Sequence, residues 1–148
     1  MRDQIVEQKR GALALTTDRQ RIDLDAVYGM LRVEHWGGQI ALPVLARSIE
    51  NSVCVGVYDT ASDDQQVAFA RVITDLATYA YLTDVVVAPA ARGKGLGSWM
   101  VEAILAHPDL QGLRRFTLLT RDAHELYKKF GFSTDMPTST YMELRPPR

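Results

Sequence analysis

Cysteine is nearly absent from this 148-residue chain: Cys54 stands alone, so no internal disulfide can form, and the chain suits a reducing, cytoplasmic compartment. Histidine is scarce too. His35, His107 and His124 share no ligand-like spacing, so the expectation is no metal site. No apolar run approaches the ~20 residues of a membrane helix, and the first ten residues lack the apolar centre of a signal peptide, so no membrane partner is expected. A basic excess is also missing. Seventeen Lys and Arg against 18 Asp and Glu leave a formal charge of -1, with a pI near 6.3, which excludes a protein built mainly for nucleic acid. No repeat, low-complexity tract or flexible linker divides the chain. The reading is one domain over residues 1–148, as a monomer or homodimer.

What is present is a globular composition, 47% hydrophobic and 24% charged, with a periodicity that changes along the chain. Residues 12–16 suit a first strand, and Asp23 can cap a helix carrying Leu24, Val27, Tyr28 and Leu31 on one side, ending near His35 and Trp36. Pro43 suits the first turn of a second helix that buries Leu45 and Ile49 and ends at Asn51. The β-branched and aromatic runs 53–58, 66–74 and 79–87 then predict three antiparallel strands. A helix bearing Leu96, Met100 and Ile104 is closed by Pro108, and a strand follows over 116–120. Asp122 with Glu125 suggests a capping box for a last helix, Gly131 its left-handed cap, and 141–144 a final strand. The order predicts an α/β (α+β) fold, a mixed, mostly antiparallel sheet flanked by helices, with a β-α-β crossover in its second half.

That crossover begins with the most informative stretch. Val85, Val86 and Val87 lead through Arg92, Gly93, Lys94, Gly95, Leu96, Gly97 and Ser98 from a strand into a helix. Gly93 and Gly95 let successive N–H groups converge beside a helix N-terminus, an arrangement that holds pyrophosphate, with charge from Arg92 and Lys94. It is not a phosphate loop of the nucleotide-hydrolase kind, because Gly95 stands where Ser or Thr would bind Mg²⁺. Nor does the glycine spacing match a dinucleotide fingerprint. A glycine turn that merely starts a helix is the plain alternative.

The segment Arg92 to Gly97 resembles the signature of the GNAT superfamily of acetyl-CoA-dependent N-acetyltransferases: Arg or Gln, two residues, Gly, one residue, Gly or Ala. Tyr127 followed by Gly131 and Phe132 is similar to a second element of that family. The resemblance runs from about residue 69 to 132 and is loose over the first 50. It implies a GNAT-like fold, acetyl-CoA as acetyl donor with no metal, and an amine as acetyl acceptor. It implies also that the backbone at Val85, Val86 and Val87 pairs with the pantetheine arm, that the turn through Ser98 holds the pyrophosphate, and that Gly97 faces the sheet as a packing glycine.

By the same resemblance Tyr127 assists the departing thiolate, with a core tyrosine as the plain alternative, and His35, Trp36, Tyr81 and Thr83 border the acceptor, with surface residues at a helix end as the plain reading of His35 and Trp36. With reference values of about 10 for tyrosine and ~8.5 for a thiol, full proton transfer is uphill by ~2 kcal/mol, so a hydrogen bond to the developing thiolate is the lighter task. A lysine-like amine is neutral about once in 2,500 at pH 7, a cost of ~4.6 kcal/mol that a base or water chain must help meet. The family's base position falls on Tyr81 or Thr83, neither a strong base. Asp84 is adjacent, on the other sheet face unless a bulge shifts the phase, and is either a satisfied structural group or a tuned base. His124 could contact cofactor or substrate, or face solvent; His107 reads as a helix-end residue, and Cys54 as a small buried hydrophobe. Two rival functions stay open: a CoA-binding regulatory or interaction module without turnover, and an ATP-binding protein.

Overall fold

The structure is a computed structural model that describes residues 3–34 and 40–147. Two short strands, β1 (Glu7–Arg10) and β2 (Leu13–Thr16), precede α1 (Leu24–Arg32) and α2 (Leu42–Glu50). Three longer strands follow, β3 (Val53–Asp59), β4 (Gln65–Thr74) and β5 (Tyr79–Val87), then α3 (Leu96–Leu105), β6 (Arg115–Leu118) and α4 (His124–Lys128). The strands form one open mixed sheet in the order β1-β2-β3-β4-β5-β6. Every pairing is antiparallel except the last, β5 with β6, which is the crossover through α3.

Each sheet face is packed by its own helices. α3 lays Trp99, Met100 and Ile104 against Val55, Val57, Ala70 and Val72, and α1 and α2 lay Val27, Leu31, Leu45 and Ile49 against Cys54, Phe69 and Val86 on the opposite face. Buried apolar area supplies the main driving force, at roughly 25 cal/mol per Å². Asp23 caps α1, accepting from the Ala26 N–H at 3.1 Å, and Pro43 opens α2, as their patterns require. The β4–β5 turn is organised by Asp75. Its carboxylate accepts from the Thr78 hydroxyl and from the N–H groups of Thr78 and Ala77, which holds it well below the usual carboxylate range.

Several expectations need correction. β1 carries no apolar alternation, only Glu-Gln-Lys-Arg: it is an edge strand paired with β2 through its backbone, and its polar side chains reach α3, where Gln8 Oε1 accepts from Trp99 Nε1 at 2.8 Å and Arg10 lies over the Trp99 ring. Residues 141–144 form no strand: Met142 is 93% and Leu144 87% exposed, and an alternating segment without a pairing edge has no ladder to join. The capping box at Asp122 and Glu125 is not formed. The Ala123 N–H is taken instead by Thr120 Oγ1 at 3.0 Å, and Glu125 meets Lys128 at 3.4 Å. His107 does follow α3, but it is buried: its Nδ1 accepts from the Asp109 N–H at 3.1 Å and its Nε2 meets the Gln4 carbonyl at 3.0 Å, tying the N-terminal segment down. Among the described residues no helix is long and apolar enough to cross a membrane.

Candidate functional site

The site begins with an interruption in β5. Its register against β4 runs Leu82 with Val72 and Thr83 with Arg71, then resumes with Val86 opposite Phe69, so β5 carries one residue more than its partner. The bulge falls at Asp84, whose φ of 54° is left-handed, uncommon for a non-glycine residue. Alternation is thereby reset. Ala80 and Leu82 face α3 before the bulge, and Val85 and Val87 face it afterwards, while Val86 is turned to Phe69 and the α1–α2 layer.

The other edge of β5 opens at the same place. Parallel pairing with β6 stops at Leu82 with Leu118, and the chain then leaves the sheet, with Leu119 72% exposed. Val86 is paired toward β4, and the Ala88 N–H donates to the Val67 carbonyl at 2.8 Å, so the intervening backbone groups of Val85 and Val87 point the other way, into the opening. The Val87 carbonyl is met there by Arg92 Nε at 3.2 Å.

Beyond β5 the chain makes a short turn, Pro89–Ala91, and then the glycine segment. Gly93 and Gly95 have φ of 81° and 74°, conformations that favour glycine, and Gly95 begins α3 with no side-chain cap and no acidic residue in the first turn. The first N–H groups of α3 therefore lack the usual acceptors and look into the opening. A Cβ built at Gly93, Gly95 or Gly97 would meet nothing within 4 Å. This corrects the packing role expected for Gly97: the core-facing positions of α3 are Leu96, Trp99 and Met100, and Gly97 lies on the cleft side. A cleft of about 220 Å³ is lined by Val87, the turn from Arg92 to Ser98 without Lys94, and Leu126 of α4. Lys94 is exposed beside it, and Arg92 also reaches Glu34, at the end of α1, at 3.3 Å.

Tyr127 is brought to the same end of the sheet by α4. The helix stops on a glycine: the Phe132 N–H donates to the Tyr127 carbonyl at 3.3 Å and the Gly131 N–H to the Lys128 carbonyl at 3.0 Å, with Gly131 at φ 95°. The Phe132 ring then meets the Tyr127 ring edge-on, centroids 5.9 Å apart. Tyr127 is 8% exposed, and its hydroxyl has no hydrogen-bond partner among the described residues. Burial, reinforced by Asp122, raises its pKa, so it is a protonated donor at neutral pH.

Tyr81, Thr83 and Asp84 lie on the α1–α2 face, across the sheet from Tyr127, which packs in the core on the α3 side. Tyr81 and Thr83 are half-buried. Asp84 accepts from Arg71 Nε at 2.8 Å, and Arg71 also donates to Ser52 Oγ at 3.1 Å. His124 is exposed at the start of α4, Cys54 is fully buried with its thiol pushed up to about 12 by burial, and His35 and Trp36 lie outside the described residues. Among the described residues no His, Cys, Asp and Glu cluster could hold a metal ion. Sequence reasoning missed Glu34, Leu126 and Arg71; the last carried a signal, an Arg inside an otherwise apolar strand, which calls for a buried partner.

Comparison with known proteins bears on this geometry. Residues 50–134 match the family model described as acetyltransferase (GNAT) domain. A candidate acetyltransferase of Gibberella zeae is 32% identical over 140 residues, covering 81% of this chain and 78% of that protein. A chloroplastic serotonin N-acetyltransferase 2 of Oryza sativa is 34% identical over 94 residues, 62% of this chain and 47% of that one. Among solved structures, a candidate acetyltransferase of Xanthomonas campestris superposes with a TM-score of 0.85 at 43% identity, covering 91% of this chain and 94% of the other.

Proposed function

Since the chain belongs to the GNAT acetyltransferase family, we propose that it is an N-acetyltransferase that moves the acetyl group of acetyl-CoA to an amine within a ternary complex. The observation that carries the reading is a coincidence of three features at one end of the sheet. They are the open backbone edge at Val85 and Val87, the start of α3 behind Gly93 and Gly95 with no side-chain cap, and the hydroxyl of Tyr127, without a partner among the described residues.

The donor fits what these residues offer. Open space over Gly93, Gly95 and Gly97 admits a pyrophosphate to the first N–H groups of α3, where charge-assisted hydrogen bonds are worth ~1.5–3 kcal/mol each. Val85 and Val87 can pair with the amide groups of a pantetheine arm as a short added strand. Acetyl-CoA supplies a thioester whose carbonyl carbon takes the amine nitrogen and whose sulfur leaves as thiolate. Strand N–H groups at the opening stabilise the oxyanion that develops on that carbonyl. Tyr127 stands protonated and donates a hydrogen bond to the sulfur; its raised pKa makes complete proton transfer harder still, so the hydrogen bond is its contribution.

Deprotonation of the amine has no dedicated strong base in this reading. Among the described residues, Asp84 is already engaged by Arg71, and Tyr81 and Thr83 offer hydroxyls in place of a carboxylate or imidazole, which leaves water and the amine's own equilibrium. That engagement also favours the second reading, a CoA-binding module without turnover. Calorimetry with acetyl-CoA, CoA and ATP, followed by an amine panel monitored for free thiol, tests both. Failure to bind acetyl-CoA would remove the primary reading, and tight binding without thiol release on any amine would select the second.

A further inference from the structure

We propose that Arg71 is a positioning residue: through Asp84 it holds the bulge of β5 in place, and so selects which backbone groups face the cleft. The role for the cleft rests on the function proposed above; the role for the strand does not.

Asp84 sits at φ 54°, a left-handed conformation uncommon for a non-glycine residue, which persists where the surroundings hold it. Those surroundings are specific. Arg71 is two residues along β4 from Phe69, on the far side of the bulge, and its Nε donates to Asp84 Oδ2 at 2.8 Å while its Nη1 donates to Ser52 Oγ at 3.1 Å. Ser52 is in turn anchored to the Ser48 carbonyl of α2 at 2.7 Å. The side chains of Arg71 and Asp84 are only 12% and 14% exposed, so the pair is too enclosed to be an ordinary surface bridge. One carboxylate is thus tied to the neighbouring strand and, through the serine, to the helix layer.

The consequence follows from the period of two in a strand. Without the extra residue at position 84, Val85 and Val87 would turn their backbone groups to β4 and their side chains to the α1–α2 layer, and Asp84 and Val86 would face the opening. Asp84 would then enter the apolar face under α3, which an unpaired carboxylate disfavours strongly. The Arg71–Asp84 pair makes the bulged phase the stable one. A tuned base would need that same carboxylate unencumbered, so the pair also assigns Asp84 to geometry and not to proton transfer.

The experiment reads amide hydrogen exchange by NMR on the ligand-free full chain and acetyl-CoA affinity by calorimetry. In the parent, the Val86 amide is slow and those of Val85 and Val87 are fast. In Arg71→Met this contrast collapses and affinity falls by roughly tenfold or more, while Arg71→Lys, which keeps a charge for Asp84, restores most of both. The double variant Arg71→Met/Asp84→Gly removes both charges and suits a left-handed φ, so it recovers relative to Arg71→Met; it also keeps the test alive if the single variant does not fold. A parental exchange contrast in Arg71→Met, or a double variant no better than the single, would overturn the proposal. Were the parent to show the contrast but not bind acetyl-CoA, the functional reading would fall and the role of Arg71 in the strand would stand.

Discussion

Gly97 separates the requirements of the fold from those of the cleft, because α3 tolerates a side chain there and a bound donor does not. A Cβ at this position meets nothing within 4 Å, and its φ is not in the left-handed region, so Gly97→Ala adds no clash. Replacing glycine by alanine in a helix interior gains up to ~1 kcal/mol; in the first turn of α3 about half of that is expected, a rise in Tm of roughly 1–2 °C. Gly97→Leu should fold as well, but its branches project over the first N–H groups of the helix. A phosphate must come within ~2.7–3.2 Å of those groups. Losing two charge-assisted hydrogen bonds costs ~3 kcal/mol or more, about a hundredfold in acetyl-CoA affinity. Scanning fluorimetry measures the first quantity and calorimetry the second. A lower Tm for Gly97→Ala would show that the position is packed after all, and parental affinity in Gly97→Leu would remove the donor from this cleft.

Tyr127→Phe should lower kcat by at least roughly tenfold while leaving acetyl-CoA affinity and Tm near parental, because the lost hydroxyl has no partner among the described residues and the ring keeps its contact with Phe132; an unchanged kcat when chemistry limits turnover would refute its role. Gly95→Ala should destabilise by ~1–2 kcal/mol through its left-handed φ of 74°, read as a lower denaturant midpoint, and an unaltered midpoint would contradict that geometry. For Cys54, the ordinary thiol value of 9.0 rises to about 12 on folding, so its contribution is complete below pH 9 and declines by ~1.4 kcal/mol per pH unit between 9 and 12 as the unfolded chain alone loses the proton. Native protein at pH 8 should therefore resist iodoacetamide until denaturant is added, and rapid native labelling would show that the thiol is accessible. On the proposal that the amine loses its proton to water, kcat/KM should climb ~tenfold per pH unit up to the amine's pKa; a plateau well below that value would reveal an enzyme base.

The central strands and α1 to α3 were legible because their periods are unambiguous: seven consecutive residues of β3 are nearly all buried apolar positions, and Asp23 and Pro43 punctuate their helices. The glycine turn was legible through spacing and charge. β1 was not, since its four residues are all polar and carry no apolar period. The expected strand over 141–144 has the right alternation, yet alternation specifies a face and not a pairing partner. At the site, Val85, Val87 and the turn could be named from sequence, but which face each valine takes depends on a bulge that only the register reveals. Glu34 was illegible because it matters through Arg92, a partner far along the chain, whereas Arg71 signalled a buried partner whose identity as Asp84 emerges only from the register of the next strand.

The sheet order has a consequence for how the chain assembles. β3 to β5 form a meander by hairpin pairings of short reach, whereas β2 reaches β3 only across α1 and α2, and β6 can dock only after α3 has crossed the sheet, where it adds four pairs against seven between β3 and β4. Contacts that close longer loops form later and open more readily. The meander should therefore behave as an early, cooperative unit, with β6 and α4 as a late one that fluctuates open on its own. Because the cleft lies at the seam between these two units, a ligand that spans it would slow exchange most in β6 and α4 and least in β3, joining the late unit to the early one.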